Sequence, residues 1–207
     1  MNDAGPDRSG PGRAEIVTTA VVVGCALLFR LLFLGSRLVL QGDEIHYAES
    51  LYRFVHGRFL DGVSDYWSFF YPFAGIPFGL AAGDAEKGLR LLSIVSGAAA
   101  VVPATMLARR FAGSRAALLA GILVAVHPNL IAFSTTAATE PLFSLLLLFA
   151  LVVFVKGLDG GGTSRFAAAG ALLGLSYLTR PEAQFFLPLF LLAALAVRGG
   201  SASGATR

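Results

Sequence analysis

Apolar residues gather into six long runs along the chain, at residues 16–34, 89–107, 116–133, 141–155, 166–178 and 183–197, with the charged residues collected mostly between them. At roughly 1.5 Å per residue, a helix over the first run crosses a hydrocarbon core of about 30 Å. The runs lack the strict apolar and polar alternation of barrel strands, so helices are the predicted spanning elements. The expected fold is therefore all-α, a polytopic transmembrane bundle of about six spanning helices. Composition agrees, since 56% of the 207 residues are hydrophobic and 14% charged, well below the quarter charged in soluble domains. The net charge of +3, spread between loops, gives no reason to expect a nucleic-acid partner.

A further apolar stretch at residues 69–82 differs from the six. As a helix it reaches only about 21 Å, and Pro72 and Pro77 interrupt it. With Trp67, Phe69, Phe70, Tyr71, Phe73 and Phe78 it has the aromatic enrichment of a segment lying in the membrane interface. It is predicted not to cross, which leaves an outer juxtamembrane helical loop at residues 35–88.

Lys and Arg are retained in cytoplasmic loops. Here they form four groups: Arg8 with Arg13; Arg109, Arg110 and Arg115; Lys156 with Arg165; and Arg198 with Arg207. Six crossings put all four on one side. The loop on the other side holds Asp43, Glu44, Glu49, Asp61, Asp65, Asp84 and Glu86 against Arg37, Arg53, Arg58 and Lys87. The prediction is a multi-pass inner-membrane protein with a cytoplasmic N-terminus, a tail at 1–15, a membrane domain at 16–198 and a polar tail at 199–207. The first run is longer than a cleavable signal core and lacks a small-residue cleavage site after it, so it reads as a retained anchor. Arg30, in its last turn, is expected to snorkel outward. Cys25 reads as a small buried packing residue without a disulfide partner.

The fifth and sixth runs cover only about 20 to 23 Å each, so their turn, Thr179-Arg180-Pro181-Glu182, is expected to sit below the outer surface. A charge at that depth needs a partner or water. A hairpin here keeps Arg165 and Arg198 on one side, whereas one long helix kinked at Pro181 would separate them.

The polar segment with most chemical promise is Gly42-Asp43-Glu44-Ile45-His46-Tyr47-Ala48-Glu49, just past the first run. Helical spacing groups Asp43 with Tyr47 and Leu51, and Glu44 with Ala48 and Tyr52. Asp43 also suits a helix N-cap, and Glu140 a helix start favoured by the macrodipole. His46, His56 and His127 form no compact metal-ligand spacing. Asp159-Gly160-Gly161-Gly162-Thr163 lacks phosphate-loop spacing and reads as a flexible inner loop. Gly170 and Gly174 have small-xxx-small spacing and are expected at a close helix contact.

Several segments in order resemble the amino-terminal half of membrane-embedded C-type glycosyltransferases, in the branch containing protein O-mannosyltransferases and aminoarabinose transferases. They are Asp43-Glu44 followed by Tyr47-Ala48, the Pro-containing aromatic stretch, Arg90-Leu91-Leu92-Ser93, the segment from Arg109-Arg110-Phe111-Ala112-Gly113 through Ala120, Thr139-Glu140-Pro141-Leu142-Phe143, and the segment from Gly170 through Leu178-Thr179-Arg180-Pro181-Glu182. In related transferases a His or Lys often precedes the proline of the aromatic stretch, where this chain has Tyr71. The resemblance implies transfer of a sugar from a polyprenyl-phosphate donor to a glycan, lipid or protein acceptor on the outer face, with inversion at the anomeric carbon.

The resemblance makes Asp43 the base, with Glu44 beside it, and gives Glu140 the positioning of acceptor or metal. Arg180, and after it Arg90, would hold the lipid phosphate. Tyr47, Tyr71 and Glu182 would line the substrate site. The resemblance fixes no cofactor, and a divalent metal is an open alternative. Family enzymes generally continue through further helices, so three readings stay open: a truncated product, one half of a split enzyme completed by a second chain, or a small relative that retains only the core. The alternative reading is a noncatalytic subunit or lipid-binding scaffold of an envelope-glycan pathway. A proton-coupled transporter fits less well, because the acids cluster outside the helices and no inverted repeat is evident.

Overall fold

The computed structural model describes residues 12–36, 39–160 and 162–203, except for the side chains of Ser36 and residues 198–203. Arg8, Arg37, Gly161 and Arg207, assigned above to the topology and the inner glycine loop, lie outside the described residues, as does the Arg198 side chain. The helices are α1 Arg13–Leu32, α2 Asp43–Val55, α3 Phe59–Gly62, α4 Phe70–Ala74, α5 Ile76–Ala82, α6 Ala85–Ala99, α7 Val101–Val126, α8 Pro128–Ser134, α9 Glu140–Leu158, α10 Gly162–Thr179 and α11 Phe186–Ser203. No strand occurs among the described residues, so the predicted all-α class is the observed one. Three stretches among them are long and apolar enough to cross a membrane: Arg13–Leu32, Ala85–Val126 and Glu140–Leu158.

The second stretch folds back on itself. Pro103 lacks the N–H that would bond Ala99, which marks the α6–α7 boundary, yet Ala104 still donates to the Ala100 carbonyl at 3.2 Å and the chain stays helical. The reversal comes at Gly113, at φ 79° and ψ −176°, a conformation that a side chain makes costly. Beyond it Gly121 returns to Thr105 and Val101, so close that a Cβ there would sit 2.9 Å from Thr105 Cγ2. Two of the predicted apolar runs are these two legs.

The turn after α10 is also a reversal. Phe190 of α11 stacks on Phe154 with ring centroids 4.3 Å apart, and Phe154 meets Phe166 at the start of α10. Helix α11 thus returns along α9, as the hairpin reading requires. It runs through Ser203, so residues 199–203 of the expected polar tail are helical.

Ion pairs gather the predicted inner loops at one end of the bundle. Glu15 takes hydrogen bonds from Arg109 and Ser114, Arg110 pairs with Asp159 at 2.7 Å, and Arg165 donates to the Lys156 carbonyl at 2.9 Å. The opposite end carries α2 to α5 and the turns before α9 and after α10. There Tyr47, Leu51, Tyr71, Leu89, Leu92, Ala137 and Leu142 form one buried cluster. The aromatic stretch packs as the short helices α4 and α5, neither of crossing length.

Three expectations about helix faces are corrected. Arg30 does not snorkel: it is fully buried and points into the bundle, where it bonds Ser134 Oγ at 3.1 Å. Cys25 is exposed, because Ala26 and Arg30, one turn apart, define the packed face of α1. Gly170 and Gly174 have nothing within 4 Å of where a Cβ would stand. Helix α10 buries instead the adjacent stripe Ala169, Leu173 and Ser176.

Candidate functional site

Helix α2 begins the site. Gly42 occupies the N-cap position and makes no side-chain cap bond, so Asp43 is the first helical residue rather than the cap. Glu44, Tyr47 and Leu51 turn inward and are buried, while Asp43 is exposed. Glu44 Oε2 accepts from the Gln41 N–H at 3.1 Å. Among the described residues, neither a hydrogen bond nor an ion pair engages the Asp43 carboxylate.

Arg180 sits where Pro181 stops α10. The residue before a proline is held out of the helical region, and Arg180 is extended at φ −150° and ψ 127°. Its guanidinium reaches Glu140 at 2.5 Å and Glu182 at 3.0 Å, and donates to Thr139 Oγ1 at 3.2 Å. One arginine thus joins the start of α9 to the turn after α10.

A hydroxyl network holds that turn in place. Ser93 Oγ donates to the Ala138 carbonyl at 3.0 Å, just before Thr139 and Glu140. The Tyr71 hydroxyl lies 2.7 Å from Ser93 Oγ and donates to the Leu89 carbonyl at 3.1 Å. Ser68 Oγ donates to the Leu178 carbonyl at 3.0 Å, fixing the aromatic loop to the end of α10. Trp67, in that loop, stacks on His46 at 4.5 Å and meets Tyr47 edge-on at 6.1 Å.

The electrostatics bind these pieces into one site. Burial, and then the charge of Asp43, push the Tyr47 hydroxyl up to about 12; Arg180 opposes the shift, and Glu140 and Glu182 add to it. Tyr47 is therefore within the field of all four charged groups, and it keeps its proton at neutral pH. Tyr71 is shifted strongly upward, first by its complete burial, against the opposing Ser93 hydrogen bond and with contributions from Glu140 and Glu44. Burial alone would lower the Arg180 pKa, but hydrogen bonds and charges from Glu182 and Glu140 raise it. The Arg180 hydrogen bond holds Glu182 below its ordinary value.

Of the residues singled out in the sequence, Asp43, Tyr47, Glu140, Arg180 and Glu182 converge at this end. Glu44 and Tyr71 lie behind them in the protein. Arg90 stands apart, 6% exposed, paired with Glu86 at 2.7 Å and in contact with the Leu34 carbonyl at 3.4 Å. Sequence reasoning missed Thr139 and Ser93 as supports of the Arg180 pairing. Thr139 was legible as the residue before Glu140, whereas Ser93 acts through a contact that only the packing reveals. The acids surround Arg180 rather than a common point, and among the described residues no group of three or more His, Cys, Asp or Glu could hold a metal ion.

The apolar helices are those of a membrane protein, and a family match makes it one of the C-type glycosyltransferase kind. The chain belongs to the family described as dolichyl-phosphate-mannose-protein mannosyltransferase, whose model matches residues 71–203, more than half of the chain. Tyr71, Arg90, Glu140, Arg180 and Glu182 fall inside the matched span, while Asp43, Glu44 and Tyr47 precede it. No curated protein and no solved structure matches the chain.

Proposed function

We propose that this protein transfers a sugar from a polyprenyl-phosphate donor to an acceptor at the end of the bundle carrying Asp43 and Arg180. The observation that carries this reading is the contrast between an exposed Asp43 carboxylate that makes no hydrogen bond or ion pair among the described residues and an Arg180 fixed by two carboxylates, both within the field of Tyr47. In the proposed step the acceptor oxygen or nitrogen attacks the anomeric carbon. Its proton passes to Asp43, and the bond from that carbon to the phosphate oxygen breaks with its electron pair on the leaving lipid phosphate.

Arg180 supplies a fork of donors to that phosphate. A phosphate reaches it by displacing Glu182, the more exposed partner at 54% against 35% for Glu140. Glu140 keeps Arg180 oriented and positions the acceptor, while the protonated Tyr47 contributes a hydroxyl. On the six-crossing reading of the basic loops, this end lies on the periplasmic face of the inner membrane, with those loops inside. Sugar transfer from labelled polyprenyl-phosphate donors in membranes tests the reading, with Asp43→Asn and Arg180→Ala each losing transfer at unchanged protein level. Full activity in both variants would reject the assignment.

A further inference from the structure

The loop at residues 64–68 ties together the two charged halves of the site. Ser64 Oγ accepts the backbone N–H of Tyr66 at 3.2 Å and of Trp67 at 3.1 Å, which sets the turn. Trp67 then stacks on His46, with ring centroids 4.5 Å apart and planes 15° from parallel, and His46 lies one helical turn beyond Asp43 on α2. The next residue, Ser68, is bonded through Oγ to the Leu178 carbonyl at 3.0 Å, two positions before Arg180. The chain's single tryptophan is thus held both to the helix that carries Asp43 and to the end of α10 that precedes Arg180.

An interfacial anchor turns its ring toward the lipid headgroups, and Tyr66, at 82% exposed, is free to do so. Trp67 is placed differently. It is half-buried, packs against the cluster that contains Tyr47 and Tyr71, and meets Tyr47 edge-on at 6.1 Å. Its indole N–H meets no acceptor among the described residues. The ring therefore offers an apolar, electron-rich face and an open donor side by side. A sugar ring has the matching parts, a face of C–H bonds and a rim of hydroxyls. A phosphate uses only the donor, and a hydrocarbon chain only the face.

We propose that the ring of the transferred sugar packs against the His46–Trp67 stack and accepts the Trp67 indole N–H on a hydroxyl, so that Trp67 positions the anomeric carbon between Asp43 and Arg180. This rests on the transfer reading and adds the group that holds the sugar. Because Trp67 is the only tryptophan, its fluorescence reports on the contact directly. The experiment titrates the full wild-type chain in detergent, with no acceptor added, using polyprenyl-phosphate mannose, the same polyprenyl phosphate without sugar, or free mannose. Stacking reads a C–H face rather than one hydroxyl pattern, so the mannosyl compound serves as the probe. A saturable change in tryptophan emission is expected with the mannosyl donor and not with the bare carrier phosphate. In native mass spectrometry the preference for the donor over the bare carrier should fall about tenfold in Trp67→Ala, and less in Trp67→Phe, which keeps a ring and drops the N–H. The same emission response to donor and bare carrier, including none to either, or an unchanged preference in Trp67→Ala, would overturn the proposal. An equal response to free mannose at matched concentration would assign the stack to a soluble sugar and overturn the donor placement. Both readouts are of binding, so their failure leaves the Asp43 and Arg180 reading standing, and a failure of transfer with sugar-selective binding intact leaves the sugar contact standing.

Discussion

Arg180 Nη1 stands 2.5 Å from Glu140 Oε1, joining residues 40 positions apart in the chain (180 minus 140) at one end of the bundle. Glu140 opens α9 and Arg180 follows the last residue of α10, so the pair closes the α9–α10 hairpin at the end opposite its connecting loop. Both side chains are about one third exposed. Solvent screening limits the stability of such a pair to about 1 kcal/mol or less. Its main consequence is orientation of the arginine fork.

Orientation can be tested apart from charge. Arg180→Lys keeps the cation and loses the planar fork, so it cannot reproduce the set of contacts to Glu140, Glu182 and Thr139. Transfer should fall by about tenfold or more, while the unfolding midpoint in detergent shifts little. Wild-type kinetics in Arg180→Lys would show that the fork is unimportant.

Tyr71→Phe removes one hydroxyl from a fully buried position. The Leu89 carbonyl and Ser93 each lose a contact, although Ser93 still donates to the Ala138 carbonyl. A destabilisation of about 1 to 2 kcal/mol is expected, measurable as a lower thermal midpoint. Stability equal to wild type would mean that the hydroxyl does not hold the α4–α6 contact.

Gly113→Ala places a side chain at φ 79° and ψ −176°, a region open essentially to glycine alone. The cost should be about 1 to 3 kcal/mol, again read from thermal unfolding. An unaffected midpoint would mean that the α7 reversal is made differently from the geometry described.

The Glu182 pair gives a pH dependence with a definite sign. The folded pKa of Glu182 lies below its ordinary 4.5, so its contribution is fully present above about pH 5 and disappears as pH falls through the folded value. Because Glu182 is 54% exposed, the contribution should stay below about 1 kcal/mol. The stability difference between wild type and Glu182→Gln should be constant from about pH 7 to 5 and shrink below that. A difference that grows on acidification would contradict the pairing.

The sequence disclosed the helices better than their faces. Six apolar runs and the turns at Glu140 and Arg180 were legible because lipid demands long apolar helices and charges collect where they end. Facing was not, because lipid and protein core are both apolar and leave little periodicity to read. Arg30 was expected outside and is inside, since orphan carbonyls at the Pro128 break and the Ser134 hydroxyl receive it. Cys25, Gly170 and Gly174 were expected at contacts and are exposed for the same reason. Asp43 and Arg180 were each visible as charges, but their shared field at Tyr47 depends on how α2 packs against α4, α5 and α6, which no local pattern records.

The central claim is that Asp43 accepts the acceptor's proton, and the direct measurement is the initial rate of transfer from a labelled polyprenyl-phosphate sugar in membranes, wild type against Asp43→Asn at matched protein level. Asp43→Asn should lose about 10²-fold to 10⁴-fold in rate, with the unfolding midpoint unchanged because Asp43 is exposed and makes no hydrogen bond among the described residues. A wild-type rate in Asp43→Asn would contradict it.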